Sequence, residues 1–164
     1  MKIIMFVVVF GAFWIWGVGS AKGQLEHTIV PMHSNCSDVE MIVGMPTCKT
    51  SHEVYDLKTE KIIVDFSTQR CQPAYKKVWD IPLGTVISVV RIPKRPFLLN
   101  QAGIDLKACE LSKWMSDMPN SFTYACGNIG LSISVQNELV HQLIYYPTPS
   151  DSSLICKSSC GKNS

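Results

Sequence analysis

Gly130-Leu-Ser-Ile-Ser-Val135 is the stretch that decides the fold class, because apolar and polar side chains alternate strictly along it. Leu131, Ile133 and Val135 fall on one face of an extended chain, and the two serines between them fall on the other. A strand with one buried face and one wet face is typical of an antiparallel sheet. The pattern therefore predicts a β-strand of an antiparallel sheet, and with it a β-rich fold class.

Three further segments share a strand pattern. Residues 61–68 place Ile62, Val64 and Phe66 on one side. Residues 84–92 are β-branched almost throughout and apolar on both faces, which predicts a central strand covered on two sides. Residues 139–146 alternate less cleanly, with Leu139, His141, Leu143 and Tyr145 on one predicted face. Glycine and proline recur at short intervals between these segments, which favours short strands over long helices.

One segment departs from the strand pattern. Asp105 is followed by good helix formers, so it is predicted to cap a short helix that runs through Cys109 to about Trp114. Six or more strands with one such insert predict an all-β protein, an antiparallel β-sandwich or cup of immunoglobulin-like type.

The N-terminus has the three parts of a secretory signal peptide. Met1-Lys2 gives a charged start, an apolar run extends from Ile3 to Gly19, and small residues follow up to Ala21. A membrane signal anchor is the alternative, but the run lies at the short edge of what crosses about 30 Å of hydrocarbon. It also lacks a basic cluster on its far side. We therefore expect residues 1–21 to be removed and residues 22–164 to be secreted as one extracellular domain.

The charge balance bears on the kind of partner. The chain carries 15 basic and 13 acidic residues, and Lys2 is the only charged residue of the predicted signal, so the mature balance is 14 against 13. Near-neutrality argues against a nucleic-acid partner.

The cysteines fit an oxidising compartment. All seven follow the predicted signal, at Cys36, Cys48, Cys71, Cys109, Cys126, Cys156 and Cys160. In an exported chain this number predicts three disulfides and one remaining thiol. Asn35-Cys36-Ser37 is a sequon, so Asn35 is expected to carry an N-linked sugar.

The sequence contains none of the common short catalytic motifs. It has no Gly-x-Ser-x-Gly, no His-Glu-x-x-His, no phosphate-binding glycine loop and no Cys-x-x-Cys. A metal site of His33, Cys36 and His52 is conceivable, but thiols of an exported protein are expected to be oxidised. The spacing of Cys156 and Cys160 does not match a thioredoxin-type pair. We expect no enzyme activity, no metal and no cofactor.

A basic cluster lies beside the predicted central strand, in Arg91-Ile-Pro-Lys-Arg-Pro96. Pro96 follows the dibasic pair and opposes processing there, which leaves a solvated turn between strands as the simplest interpretation. The alternative is that Arg91, Lys94 and Arg95 receive an anionic head group.

A resemblance to a known family covers most of the mature chain. Residues 87–111 resemble a stretch of small secreted insect proteins, in which a basic pair, Pro-Phe-Leu, Asn and then Asp shortly before Cys recur in this order. Those proteins look like relatives of the ML lipid-recognition domains, which include the Toll-pathway lipopolysaccharide co-receptor and the Niemann–Pick type C sterol carrier. Cys36 with Cys48 is similar to the opening cysteines of ML co-receptors, and Cys109 with Cys126 to their late pair.

The resemblance implies a fold, a ligand and a disulfide pattern. ML domains are two antiparallel sheets that splay apart and admit lipid between them. By analogy the disulfides would be Cys36–Cys71, Cys48–Cys156 and Cys109–Cys126, with the last cysteine left over, although Cys48 could instead pair with Cys160.

Two functions follow as alternatives. The first is a secreted carrier or co-receptor for lipid or another apolar ligand, chemosensory or innate-immune, with a cell-surface receptor as a further partner. Its ligand cavity would be lined by Val64, Phe66, Val89, Phe97, Leu131, Ile133 and Leu143, with the basic side chains of Arg91, Lys94 and Arg95 at the rim. Burial gains about 0.8 kcal/mol per methylene, so this function needs no catalytic group. The second is a closed, disulfide-rich domain that binds a protein partner.

Overall fold

The computed structural model describes residues 29–46, 48–113 and 118–156. The predicted signal peptide, the Trp114 end of the predicted helix and Cys160 lie outside these residues. Within the described part of the chain, no helix has the length and apolar character needed to cross a membrane.

The described residues form one α-helix and ten strands. Helix α1 spans Cys36–Val43, and the strands are β1 (His52–Asp56), β2 (Glu60–Phe66), β3 (Cys71–Ala74), β4 (Lys77–Asp80), β5 (Val86–Pro93), β6 (Phe97–Leu98), β7 (Glu110–Lys113), β8 (Ser121–Cys126), β9 (Leu131–Gln136) and β10 (Leu139–Tyr145). Short 3-10 helices occupy Leu99–Ala102, Leu106–Ala108, Gly127–Ile129 and Pro149–Leu154.

The strands form two antiparallel sheets. The main sheet has eight strands in the order β1-β2-β5-β10-β9-β8-β7, with β6 pairing with β10 beside this path. The hairpin of β3 and β4 forms a second, two-stranded sheet. The predicted all-β antiparallel class with short helical pieces is confirmed.

The irregular alternation of the last strand has a structural cause. The register of β10 against β9 shifts between Val140 and Gln142, which marks a β-bulge. Val140 and Leu143 are both buried in the same cluster, although they lie three positions apart. The predicted face that placed Leu139 and His141 with Leu143 is therefore wrong before the bulge.

The predicted helix after Asp105 is mostly absent. The Asp105 side chain does accept a hydrogen bond from the backbone N–H of Lys107, but the helix that it caps is the 3-10 helix Leu106–Ala108. The chain then enters β7, whose backbone pairs with β8. Helix propensity is worth only tenths of a kcal/mol per residue, so sheet pairing overrides it here.

Helix α1 was not predicted, although its start and end signals are in the sequence. The Asn35 side chain accepts hydrogen bonds from the N–H groups of Ser37 and Asp38, and the Asp38 carboxylate accepts from the N–H of Asn35. This reciprocal pair is a capping box. Gly44, with φ of 69°, ends the helix in the left-handed conformation that glycine adopts without cost.

The apolar face of the main sheet is covered by two different segments. Over β1, β2 and β5 lies α1, whose Val39 and Val43 join the buried cluster of that region. Over β8, β9 and β10 lies the stretch of residues 97–109, which packs with half-buried apolar side chains. The β3–β4 hairpin makes a third cluster, in which Trp79 packs with Ile87 of β5.

Candidate functional site

The seven residues predicted to line a ligand space lie together on one face of the main sheet. Cross-strand pairing places Val64 beside Val89, Val89 beside Tyr145, and Tyr145 beside Leu131. Phe97 reaches the same face from β6. The set nevertheless divides between the two clusters: Val64, Phe66 and Val89 pack under α1, whereas Phe97, Leu131, Ile133 and Leu143 pack under residues 97–109.

This face is closed at its centre. Val64, Val89 and Ile133 expose 0%, 1% and 0% of their surface. A side chain that bordered an internal void large enough for water would show accessible surface toward it. The space that the prediction assigned to a lipid is therefore filled by the protein's own side chains around these three residues.

The three predicted rim cations have different surroundings. Arg91 forms a two-pronged contact with Glu60, from Nε to Oε2 at 2.8 Å and from Nη2 to Oε1 at 2.7 Å. The hydrogen bond to Glu60 raises the pKa of Arg91 further. Lys94 Nζ lies 2.6 Å from Asp56 Oδ1. Arg95 is exposed. Two of the three charges are thus already matched by carboxylates.

The disulfide pairing differs from the predicted scheme in its first two bonds. Cys36 is bonded to Cys48, which replaces both Cys36–Cys71 and Cys48–Cys156. The reason is local: α1 carries the chain away from Cys36, and the reversal after Gly44 brings it back within a Cα–Cα distance of 5.7 Å.

The remaining described cysteines lie in two places. Cys109 is bonded to Cys126, which is the pair that was predicted. Cys71 Sγ and Cys156 Sγ lie 2.6 Å apart, at the contact between the β3–β4 hairpin and the end of the described chain.

The side chains of the conceivable metal site are held by separate partners. His33 contacts Asp151, His52 contacts Asp65, and Cys36 is in a disulfide. Among the described residues, no group of three or more histidine, cysteine, aspartate or glutamate side chains is placed to hold a metal ion.

A polar pocket of about 380 Å³ lies on the opposite side of β2 and β5 from the closed apolar face. Asp65 of β2 and Ser88 of β5 are paired across the two strands, and neighbours along a strand point to opposite faces. The β3–β4 hairpin forms the far wall of the pocket and contributes Gln72 and Tyr75. His52 of β1 completes it at the sheet edge.

Asp65 is the centre of a hydrogen-bond network in this polar pocket. Its Oδ1 accepts from His52 Nδ1 at 2.7 Å, and its Oδ2 accepts from the buried hydroxyl of Ser88. The Asp65 side chain is 42% exposed and the His52 side chain 60%. The carboxylate is therefore held in a fixed orientation while remaining accessible to a ligand.

Tyr75 forms an aromatic wall of the polar pocket. Its ring stacks on the ring of Tyr146 with 5.6 Å between centroids, and 47% of the residue is exposed. Burial has the largest effect and raises the pKa of Tyr75; a hydrogen bond with Ser88 partly opposes it, and the nearby charge of Asp65 adds a smaller increase. The phenol consequently stays protonated at neutral pH and acts as a hydrogen-bonding group.

The order of groups in the network does not suit nucleophilic catalysis. In a Ser-His-Asp triad the imidazole lies between the hydroxyl and the carboxylate and takes the hydroxyl proton. Here the carboxylate of Asp65 lies between Ser88 and His52, so the histidine is not placed to deprotonate the serine. The arrangement is suited to holding a ligand by hydrogen bonds and charge.

Sequence reasoning did not find this polar pocket. His52 was considered only as a metal ligand, and Asp65 was not singled out. The usable signal was the polar side chains facing each other on adjacent predicted strands, but pairing those strands requires the register. Tyr75 and Gln72 lie on a hairpin that the sequence did not predict.

The likeness to ML domains rests on the motif residues of residues 87–111 and on the cysteine order, and it stays a prediction. The Cys36–Cys48 bond changes what the cysteine order implies, because the family analogy had placed these two residues in different disulfides. Comparison of this chain with protein-family models, with curated proteins and with solved structures finds no match.

Proposed function

We propose that this protein is an exported, disulfide-stabilised binding domain with a closed interior, which recognises its partner at the surface. The observation that carries the proposal is the filled apolar face, where Val64, Val89 and Ile133 have almost no accessible surface. Of the two alternative functions that the sequence suggests, a closed interior favours the domain that binds a protein.

The polar pocket is the proposed recognition site. Its volume of about 380 Å³ falls in the range of pockets that bind small molecules or a protruding side chain. Its polar groups are oriented before any ligand arrives, because Ser88 and His52 fix the Asp65 carboxylate. Preorganised groups lose less conformational entropy on binding, and this strengthens recognition.

A lipid carrier is the second candidate, and one observation favours it. Residues 97–109 cover the β8–β10 part of the apolar face without regular strand structure, apart from β6 and two 3-10 turns. The apolar side chains of this cover, including Phe97, Ile104 and Leu106, are only half-buried. Displacing the cover would expose the face and give a lipid tail a place to bind.

Native mass spectrometry of protein secreted from eukaryotic cells separates the two candidates. The closed domain is expected to show the mass of the polypeptide with its sugar and no bound lipid. A reproducible added mass that organic solvent extracts as lipid would contradict the closed-interior proposal and favour the carrier.

The variant Ile133→Phe provides the second readout. In a filled core the larger ring overpacks, so the free energy of unfolding should fall by about 1–3 kcal/mol. Ile144→Phe is the matched control. Ile144 is half-buried, pairs with Val90 of β5, and points to the face of the main sheet opposite to that of its neighbour Leu143. Unchanged stability of Ile133→Phe together with loss of bound lipid would show that the core held a lipid-filled space.

A further inference from the structure

We infer that the polar pocket binds an organic cation, an alkylammonium or guanidinium group such as a lysine or arginine side chain of a partner protein presents. The inference deepens the proposed surface recognition and depends on it. It rests on four features of the described pocket residues: the charge of its lining, the unused acceptor capacity of Asp65, the aromatic ring of Tyr75, and the lack of a lysine or arginine partner on Asp65.

The charge of the lining comes first. Asp65 is the one carboxylate among the described side chains that line the polar pocket, and these include no lysine and no arginine. The other polar lining groups are hydroxyls, one amide and the imidazole of His52. An anionic ligand would meet the Asp65 charge with no cation in the lining to offset it, whereas a cationic ligand would complement it.

The Asp65 carboxylate has room for a ligand. An ionised carboxylate offers about four lone-pair positions. His52 and Ser88 occupy one position on each oxygen, which leaves about two for hydrogen bonds from an ammonium or guanidinium group. Such charge-assisted bonds are roughly twice as strong as neutral ones, and guanidinium makes two at once in a fixed geometry.

The partners of Asp65 differ from those of the other carboxylates near the sheet edge. Glu60 is held by Arg91 in a two-pronged contact, and Asp56 is held by Lys94. Asp65 is bonded instead to an imidazole and a hydroxyl, neither of which carries the permanent charge of an arginine or a lysine. Its accessible charge is thus available to a cation from outside the chain.

Tyr75 adds the complementary aromatic surface. One face of its ring is stacked on Tyr146, and 47% of the residue is still exposed beside the pocket. A cation near the face of such a ring gains about 0.5–1 kcal/mol at an exposed site. A carboxylate and an aromatic ring in the lining of one pocket together favour a cation with an apolar stem, which both lysine and arginine side chains have.

The test uses the secreted protein and two short peptides with blocked ends. One is Gly-Arg-Gly and the other carries citrulline in place of arginine, which keeps the planar shape and part of the N–H donors but replaces one NH2 group by a carbonyl oxygen and removes the charge. Binding is followed by NMR shift changes of the backbone amides at His52, Asp65 and Tyr75. We expect the arginine peptide to bind at least about tenfold more tightly than the citrulline peptide.

Two variants and one control locate the effect. Asp65→Asn keeps the side-chain shape and should remove the preference for arginine. Tyr75→Leu should weaken arginine binding a few fold, and it tests the pocket while keeping the His52 and Ser88 contacts of Asp65 if Asp65→Asn fails to fold. Asp56→Asn removes an exposed carboxylate outside the pocket and should leave the preference intact. Comparing the affinities of a lysine peptide and of free butylamine shows whether the pocket prefers an ammonium group on a protein side chain or on a small amine.

Equal binding of the two peptides would overturn the inference in favour of a neutral hydrogen-bonding ligand. Absence of shift changes at the polar pocket with either peptide would overturn it as well. Neither result bears on the closed interior, which is decided separately by the mass of the secreted protein and by Ile133→Phe.

Discussion

His33 Nε2 lies 2.7 Å from Asp151 Oδ1, and this contact ties the turn before α1 to the 3-10 helix Pro149–Leu154. Asp151 is 4% exposed, and its Oδ2 also accepts hydrogen bonds from the N–H and the hydroxyl of Thr148, each at 2.7 Å. Burial raises the pKa of Asp151, but the hydrogen bonds from Thr148 and His33 outweigh burial and hold the pKa below its ordinary value of 3.8.

Lowering the pH should weaken the contact between His33 and Asp151. The pKa of Asp151 is lower in the folded than in the unfolded chain, so its stabilising contribution is complete above the unfolded value. That contribution is lost as the pH falls through the folded pKa. Asp151→Asn should lower the free energy of unfolding at neutral pH by about 1–3 kcal/mol, because it removes the charge from a buried hydrogen-bond network.

Urea unfolding at a series of pH values measures this effect. The variant and the wild type should converge as the pH falls below the ordinary aspartate value of 3.8 and through the lower folded pKa of Asp151, because the wild-type carboxylate then loses its charge. Glu138→Gln, at the exposed β9–β10 turn, is the control and should not change stability. A constant difference between Asp151→Asn and wild type down to the lowest pH would contradict the assignment.

Two buried serines should respond to alanine with opposite signs. Ser121 is 0% exposed, and its Oγ has no hydrogen-bond partner among the described residues. Ser121→Ala removes a desolvated hydroxyl and should raise the free energy of unfolding by about 1 kcal/mol.

Ser67 is the matched comparison. Its Oγ donates to the carbonyl of Pro82 at 2.6 Å and accepts from the N–H of Thr85 at 2.9 Å. Ser67→Ala leaves both groups without this partner and should lower the free energy of unfolding by about 1–2 kcal/mol. Thermal unfolding of both variants provides the measurement, and a shift of the same sign in the two would refute this account.

Asn35 has two roles that substitutions can separate. Its Oδ1 caps α1, while the sequon prediction places a sugar on its Nδ2. Asn35→Asp should lose the sugar and keep the cap, because aspartate caps helices as well as asparagine does. Ser37→Ala should also lose the sugar, because it destroys the sequon. It should keep the cap, since Ser37 contributes only its backbone N–H to it.

Asn35→Ala should lose both the sugar and about 1 kcal/mol of stability. Gel mobility before and after glycosidase treatment tests the sugar, and melting of deglycosylated protein tests the cap. Mobility of the wild-type protein that glycosidase leaves unchanged would reject glycosylation at this site.

The sequence predicted the elements whose pattern is local. Leu131, Ile133 and Val135 alternate with serines because one face of β9 is buried and the other is not, and a strand displays this division at every second residue. The Asp105 cap was also visible, because a cap needs only the N–H groups two or three residues further on. The length of the helix after it was not, because pairing with β8 decides where β7 begins.

The interior and the polar pocket were decided by the tertiary structure. The seven large apolar residues that were predicted to line a space between two sheets lie on one face of the main sheet, and whether that face is empty or filled depends on α1 and on residues 97–109 packing against it. The contact of Ser88 with Asp65 joins residues that are 23 positions apart in the chain. Their meeting depends on the register of β2 against β5 and on the bulge near Val86.

By itself, then, the sequence determined that this chain forms short antiparallel strands and which faces of them avoid water, because hydrophobic burial acts on each strand's own alternation. Only the tertiary structure decided that Cys36 pairs with Cys48 and that Asp65 meets His52 and Ser88 beside Tyr75. Disulfides and polar sites form between atoms a few ångströms apart in space, and order along the chain does not fix those distances.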